Sequence, residues 1–301
     1  MGMLAVACGD SSTAPQYVET DYTVTTLGDS TFTATGLNNA GQIVGSFRAG
    51  TVPEHVLIDH GTTTDLGPCA PDGINDDGVI ACLNGTLWRN GTTTPLPLPP
   101  NFVLFSIGVN DQGVVAGAGI TPHSAGDSEP CSQGCAFIAA SGRLILFPGL
   151  AFGFLQMTHG TDVLIGGSIW KPDSTSTPYT CAGLPANSSA YVWGGDHEVI
   201  GRTAETKPAN TLKSDAFVCR GGAMVSLGSA TSRANDISES GLIVGTMDNG
   251  RGFLWNNGKL TVLGRIGEYT GAFVTDAYRV NDAGQIVVTT TVGQTLLLTP
   301  K

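Results

Sequence analysis

The sequence predicts an all-β fold: a β-propeller of six four-stranded blades, with seven as the alternative, closed by the N-terminal strand joining the C-terminal blade. Three observations carry that prediction. One phrase recurs along the chain, most completely at Gly241–Gly264, where short apolar runs alternate with Asn-Gly pairs; such pairs supply the positive φ angles that tight hairpin turns need. Nothing in that phrase is long enough or periodic enough for a helix. The chain also opens with a strand that has no unit before it, Asp21–Gly28, and stops after Thr295–Leu298 without a last strand. The two ends complement each other, as they do in a closed ring. A solenoid is the rival repeat architecture, and it needs capping ends instead.

The elements follow in order. In Asp21–Gly28, strict alternation places Tyr22, Val24 and Thr26 on one face. The first full unit has strand a at Thr33–Leu37, a turn at Asn38–Gly41, strand b at Gln42–Gly45, strand c at His55–Ile58 and strand d at Thr62–Gly67. The second has Gly73–Asn75, Gly78–Ala81, Thr86–Trp88 and a Thr-rich strand to Leu96. The third has Ile107–Asn110, Gly113–Gly117, a long loop holding Cys131 and Cys135, then Ala136–Ala139 and Arg143–Phe147. The fourth is irregular. Phe154–Met157 and Asp162–Gly166 fit strands a and b, but a c-like Ala190–Trp193 then runs straight into a b-like His197–Gly201. Residues 190–201 therefore read as an extra hairpin inside unit four, which ends with Ala216–Cys219 and Ala223–Gly228; a degenerate blade there raises the count to seven. Asn235–Ser238 opens the fifth unit, and Tyr278–Asn281, Gly284–Val288 and Thr295–Leu298 form the sixth.

The phrases Leu37–Gly45, Ile74–Gly78, Val109–Gly113, Val280–Val287 and Phe253–Gly258 resemble the HAF family of bacterial extracellular repeats. Those repeats read roughly Gly-Ile-Asn-x-x-Gly-x-Val-Val-Gly, then His-Ala-Phe-Leu-Trp, then Asn-Gly and Leu-Gly. The likeness runs from residue 21 to 299, with the His-Ala-Phe core altered to Glu54-His55-Val56, Cys135-Ala136-Phe137, Asp215-Ala216-Phe217 and Arg251-Gly252-Phe253. The resemblance implies an exported repeat protein and carries over no catalytic residue.

Composition points the same way. Charged residues make up 13 %, about half the usual share, which suits an exported, hydroxyl-covered β protein. With 41 % hydrophobic residues the chain can bury a core, so residues 21–301 read as one propeller domain behind a tether. A net charge of −11 with singly scattered Lys and Arg repels phosphate backbones and anionic headgroups, which excludes nucleic acid and charge-driven membrane binding. Residues 1–20 read as a residual signal and tether. Leu4-Ala5-Val6-Ala7-Cys8 resembles a lipobox with Leu4 one place too far from the Cys, making Cys8 the lipidation candidate and a lipid anchor the one expected membrane contact. The expectation is a monomer, either outer membrane-anchored or extracellular.

Six further cysteines permit three disulfides. Cys69 and Cys82 flank a hairpin turn, Cys131 and Cys135 close a small ring, and Cys181 is left for Cys219. The Cys131/Cys135 pair lacks the two further ligands of a zinc site, so no metal is expected there.

Residues with chemical potential are sparse. Asn-Asp-x-Gly at 75, 110 and 281 is rich in oxygen, so calcium is a possible cofactor and otherwise none is expected; the alternation and distal Glu of a calcium loop are missing, and turn formation explains the pattern better. His55, His60, His123, His159 and His197 are dispersed without partners at metal spacing. Nucleophile motifs are absent. Asn84, Asn90 and Asn187 match glycosylation acceptors, although turns already account for Asn-Gly. Trp88 and Trp255 share a strand c position and read as core, whereas Trp170 and Trp193 border the irregular unit and could form a binding patch. The expected function is that of a non-enzymatic scaffold holding a glycan or a surface protein through loops 118–135 and 168–190. Both loops are expected between strands b and c, on one edge of neighbouring units. Asp127, Glu129 and Asp173 on those loops are the tentative binding acids. In the rival reading, a glycan hydrolase or lyase, they are catalytic.

Overall fold

The structure is a computed structural model that describes residues 18–122, 131–150, 155–157, 162–165, 168–184, 189–194, 198–203, 215–228, 231–267 and 271–301. Seven antiparallel sheets form seven blades. Blade one is Phe32–Leu37, Ile43–Phe47, Glu54–Asp59 and Thr62–Asp65; blade two is Pro71–Ile74, Ile80–Cys82, Thr86–Arg89 and Thr92–Pro95. Blade three is Val103–Val109, Val115–Ile120, Cys135–Ala140 and Arg143–Pro148; blade four is Leu155–Met157, Val163–Ile165, Ser168–Trp170 and Ser176–Pro178. Blade five is Ser189–Gly194, Glu198–Arg202, Ala216–Arg220 and Ala223–Ser226; blade six is Thr231–Ile237, Ile243–Met247, Gly252–Asn256 and Lys259–Val262. Blade seven takes strands a to c from Ala272–Val280, Ile286–Thr290 and Thr295–Pro300, with the short Arg265–Ile266 beside strand a.

The count of six is therefore corrected to seven. Residues 190–201 are not an extra hairpin within unit four but strands a and b of blade five, and Ser168–Trp170 with Ser176–Pro178 supplies the strands c and d that blade four needs. Strands a and b of blade four lie where the sequence places them, whereas its strands c and d are only three residues each, too short for a periodic pattern to show.

Closure is as the two chain ends predict. The N-terminal strand Tyr22–Gly28 pairs antiparallel with Thr295–Pro300, from Tyr22 opposite Pro300 to Gly28 opposite Thr295. A register shift between Thr26 and Gly28 turns Thr26 outward and brings Leu27 in, so Tyr22, Val24 and Leu27 are the residues packed on the cores. A helical turn at Val18–Asp21 precedes the strand, with Val18 buried in the blade seven cluster. The helical turn begins three residues ahead of the expected domain boundary.

The repeat is legible as packing. Gly45, Gly117, Gly201 and Gly245 of strand b pair with Val56, Phe137, Phe217 and Phe253 of strand c. Those three Phe rings are among the largest fully buried side chains. A Cβ on Gly117 or Gly245 would lie 2.5 Å or 2.7 Å from the opposing ring, so the glycine makes room for the aromatic that packs against the preceding blade. All three expected disulfides are present: Cys69–Cys82, Cys131–Cys135 and Cys181–Cys219.

Candidate functional site at the central channel and the two edges of the disc

Antiparallel alternation gives the disc two unlike edges. One carries the a–b and c–d turns. The other carries the b–c and d–a connections. Strand a of each blade faces the central channel, and at the a–b edge that channel widens into a cavity of about 280 Å³ lined by blades one, two, three, six and seven.

The Asn of each Asn-x-x-Gly turn builds that mouth. Its Oδ1 accepts the backbone N–H four residues on: Gln42 to Asn38 at 2.9 Å, Val79 to Asn75 at 2.8 Å, Val114 to Asn110 at 2.9 Å and Gln285 to Asn281 at 2.9 Å. This is the turn-forming role the sequence suggests. The Nδ2 does something the sequence does not reveal. It crosses to the next blade, from Asn281 to the Asn38 carbonyl at 3.0 Å, from Asn38 to Asn75 at 2.9 Å and from Asn75 to Asn110 at 2.9 Å. The following residue makes a second relay, in which the side chain of one blade accepts the N–H of the blade before it: Asn39 N–H to Asp76 at 2.7 Å, Asp76 N–H to Asp111 at 2.7 Å and Asp282 N–H to Asn39 at 2.8 Å, while in blade six the donor is one place further on, Ser240 N–H to Asp282 at 2.7 Å.

Deeper in the channel, Asp72 accepts the Ile107 N–H at 2.7 Å and Asp236 accepts the Val280 N–H at 2.9 Å. Arg279 donates from Nε and Nη2 to the Thr35 carbonyl at 3.0 and 2.8 Å. Burial pushes the Asp72 carboxyl above the usual carboxylate range, against the Ile107 hydrogen bond and the charge of Arg279. The carboxylates of Asp72, Asp76, Asp111, Asp236 and Asp282 thus tie neighbouring strands together. Among the described residues, no cluster of His, Cys, Asp and Glu has the arrangement of a metal site.

The expected site residues scatter. Trp170 pairs with Val163 as Trp88 pairs with Ile80 and Trp255 with Ile243, so it fills the shared strand c slot; it is half-buried against Phe147, with ring centroids 4.4 Å apart. Trp193 lies on strand a of blade five, opposite Val199. Asp173 sits in the c–d turn of blade four, where its Oδ1 accepts the Thr175 N–H at 2.8 Å and Thr175 Oγ1–H at 2.5 Å; these bonds hold its carboxyl below the usual range. Asp127 and Glu129 lie outside the described residues, as do Cys8, His123, His159 and His197. Loop 168–190 is not a b–c loop, because it contains strands c and d of blade four. Asp173 therefore stands at the a–b edge. The ends of the segment carrying Asp127 and Glu129, Thr121 and Cys131, meet at the b–c edge, with Thr121 N–H donating to the Cys131 carbonyl at 3.2 Å.

The b–c edge presents different groups among its described residues. There the Cys131–Cys135 disulfide bounds the long connection of blade three. Beside it, at the start of strand a, Val103 and Phe105 are 48 % and 51 % exposed. A register shift between Leu104 and Ser106 leaves Phe105 outside the pairing. The sequence reading missed this aromatic because the bulge, not the pattern, exposes it.

No protein-family model and no curated protein matches the chain. Solved structures do. A catalytically inactive variant of virginiamycin B lyase from Staphylococcus aureus, with quinupristin, is 11 % identical, with a TM-score of 0.56 over 93 % of this chain and 100 % of that one. The β-propeller domain of the trilobed protease from Pyrococcus furiosus gives 12 % and 0.61 over 89 % and 95 %. YCF48 bound to D1 peptide gives 12 % and 0.51 over 93 % and 96 %. At these identities the likeness shows the propeller fold alone.

Proposed function

We propose that the protein is an exported, non-catalytic propeller scaffold of the HAF-repeat type, anchored through Cys8, that holds a glycan or a surface protein on its b–c edge. The observation that carries this reading is the division of labour between edges. Carboxylates in the channel accept backbone N–H groups from neighbouring blades, a role that fixes them in place as ties between strands. The b–c edge instead offers an exposed aromatic beside a disulfide-bounded connection, on a rigid support of the kind binding loops use. The solved propellers containing quinupristin and a D1 peptide offer precedent for ligand binding on this fold.

The hydrolase reading finds less support. Asp173 is held in its ionised form by Thr175, whereas a general acid in glycoside cleavage needs a raised pKa. The test is a glycan array and an envelope-protein overlay probed with the full chain. Binding to one ligand class that weakens about tenfold or more in Phe105→Ser is expected, at a cost of roughly 1.4 kcal/mol or more. Ligand turnover that disappears in Asp127→Asn or Glu129→Gln would overturn the reading in favour of catalysis. Retained membrane partitioning of Cys8→Ser would remove the anchor.

A further inference from the structure

We infer that the b–c edge carries an oxyanion-binding site between blades six and seven, built from Arg251, Arg265 and Phe273. This rests on the scaffold reading and narrows its ligand to one bearing a carboxylate, sulfate or phosphate group. Arg251 immediately precedes strand c of blade six, Arg265 lies in the d–a connection, and Phe273 begins strand a of blade seven, so chain direction brings all three to the b–c edge. The Arg251 Cζ stands 4.3 Å from the centre of the Phe273 ring and the Arg265 Cζ 4.8 Å from it. No more than those two distances laid end to end separates the guanidiniums.

The platform is held firmly. Phe273 N–H donates to Thr291 Oγ1 at 3.1 Å and its carbonyl accepts the Thr291 N–H at 2.9 Å. Arg265 pairs across strands with Phe273, and the Arg251 carbonyl accepts the Met247 N–H at 2.7 Å. Contacts with the ring face restrict both guanidiniums while leaving their N–H groups unspent.

Other packed arginines spend theirs. Arg220, over Trp255, is paired with Glu198; Arg279 bonds the Thr35 and Tyr278 carbonyls; Arg233 lies 3.6 Å from Asp276. Among the described residues, neither the Arg251 nor the Arg265 guanidinium has an ion pair or a hydrogen-bond acceptor. In a chain with 14 basic and 25 acidic residues, these two like charges share one ring with no carboxylate paired to either among the described residues. An oxyanion is the partner whose geometry matches two guanidinium forks.

The test is calorimetric and NMR titration of the full chain with sodium sulfate, sodium phosphate and D-galacturonate, against sodium chloride and D-galactose as controls. Saturable binding that falls with added salt is expected for at least one oxyanion. Arg251→Gln and Arg265→Gln should each weaken it about tenfold or more, and Arg143→Gln should leave it unchanged. Should either Gln variant fail to fold, Arg251→Lys and Arg265→Lys carry the test: they keep the charge, lose the fork and should weaken binding measurably. The preferred probe separates a planar carboxylate from a tetrahedral oxyanion. Absence of saturable binding, or equal binding by the variants, overturns the site. A glycan held by the chain but indifferent to both arginines would leave the scaffold standing without this site. Free oxyanions bound through the arginines, with no glycan or protein ligand, would leave the site standing without the scaffold.

Discussion

Among the described residues, neighbouring blades are joined in contrasting ways. From blade seven through one and two to three, each junction is sealed by the same amide relay, Asn281 to Asn38 to Asn75 to Asn110. Blade five has Gly194 where the Asn would stand, five residues before Val199, and its junction with blade six is sealed by other means. Arg220 of strand c is paired with Glu198, donates to Asn257 Oδ1 at 3.3 Å, and lies 5.6 Å from the Trp255 ring centre. The Cys181–Cys219 disulfide ties in the connection from blade four. Blade six is intermediate. Its Ser238 keeps the local bond from Leu242 N–H at 3.2 Å, but a hydroxyl is too short to cross, and Asn235 reaches the Ala277 carbonyl at 2.9 Å instead. A backbone amide or carbonyl at a junction must be satisfied, while the identity of the side chain that does so is free to vary. The repeat is conspicuous where the local solution is the same and faint where it is not.

Experiments can break this contrast in descending order of effect. Deleting residues 21–28 removes strand d of blade seven and opens the ring, whichever way the junctions are sealed. Burial of Tyr22, Val24 and Leu27 contributes on the order of 1–3 kcal/mol each against about 5–15 for a domain. The deletion should give aggregated or dye-binding protein without a cooperative melt, and a melt like the parent's would refute the closed ring.

Arg220→Ala should cost roughly 2–4 kcal/mol in urea unfolding, because it strands the mostly buried Glu198 carboxylate. Asn75→Ala removes one crossing bond and one local bond and should cost about 1–3 kcal/mol. Asn75→Ser, which copies blade six, should recover the local half of that loss. If Asn75→Ser were as damaging as Asn75→Ala, the two halves of the amide would not act separately.

The smallest effect is a pH dependence at Asp72. Its folded-state pKa is raised, so the native chain binds this proton more tightly than the unfolded chain, and stability from this group falls as pH rises through that range. Asp72→Asn keeps an acceptor for the Ile107 N–H. It should raise Tm at pH 7, with the gain vanishing as acidification protonates Asp72 in the parent. A gain that persists at low pH would point away from the charge as its cause.

Much of this was legible in the residues. Closure could be read from one strand too many at the start and one too few at the end. The disulfides could be read because each cysteine pair flanks a turn or is left over. Blade four could not, since Ala190–Trp193 resembles the Phe-Leu-Trp of strand c more than Ser168–Trp170 does, yet the pairing of Trp170 with Val163 assigns strand c to the latter. The amide relay was only half visible. Sequence shows that an Asn can bond its own turn, and shows nothing of a carbonyl about 35 residues away that a closed disc brings within reach. The arginine pair on Phe273 was invisible for the same reason, since its members look like two more scattered charges until the blades assemble.

The latch strand also sets how the molecule bears load. Asp21 and Lys301 meet at the a–b edge, where the Lys301 N–H donates to the Asp21 carbonyl at 3.0 Å. A force that draws the two termini apart would open the Tyr22–Gly28 pairing from one end, a rung at a time. A force that holds the N-terminus and pulls on the opposite edge runs along the strand and loads every rung at once. Rupture under force follows the unfolding barrier rather than the equilibrium stability. A disc held by its N-terminus and gripped on its b–c edge would therefore be pulled in the direction in which its closure is hardest to break.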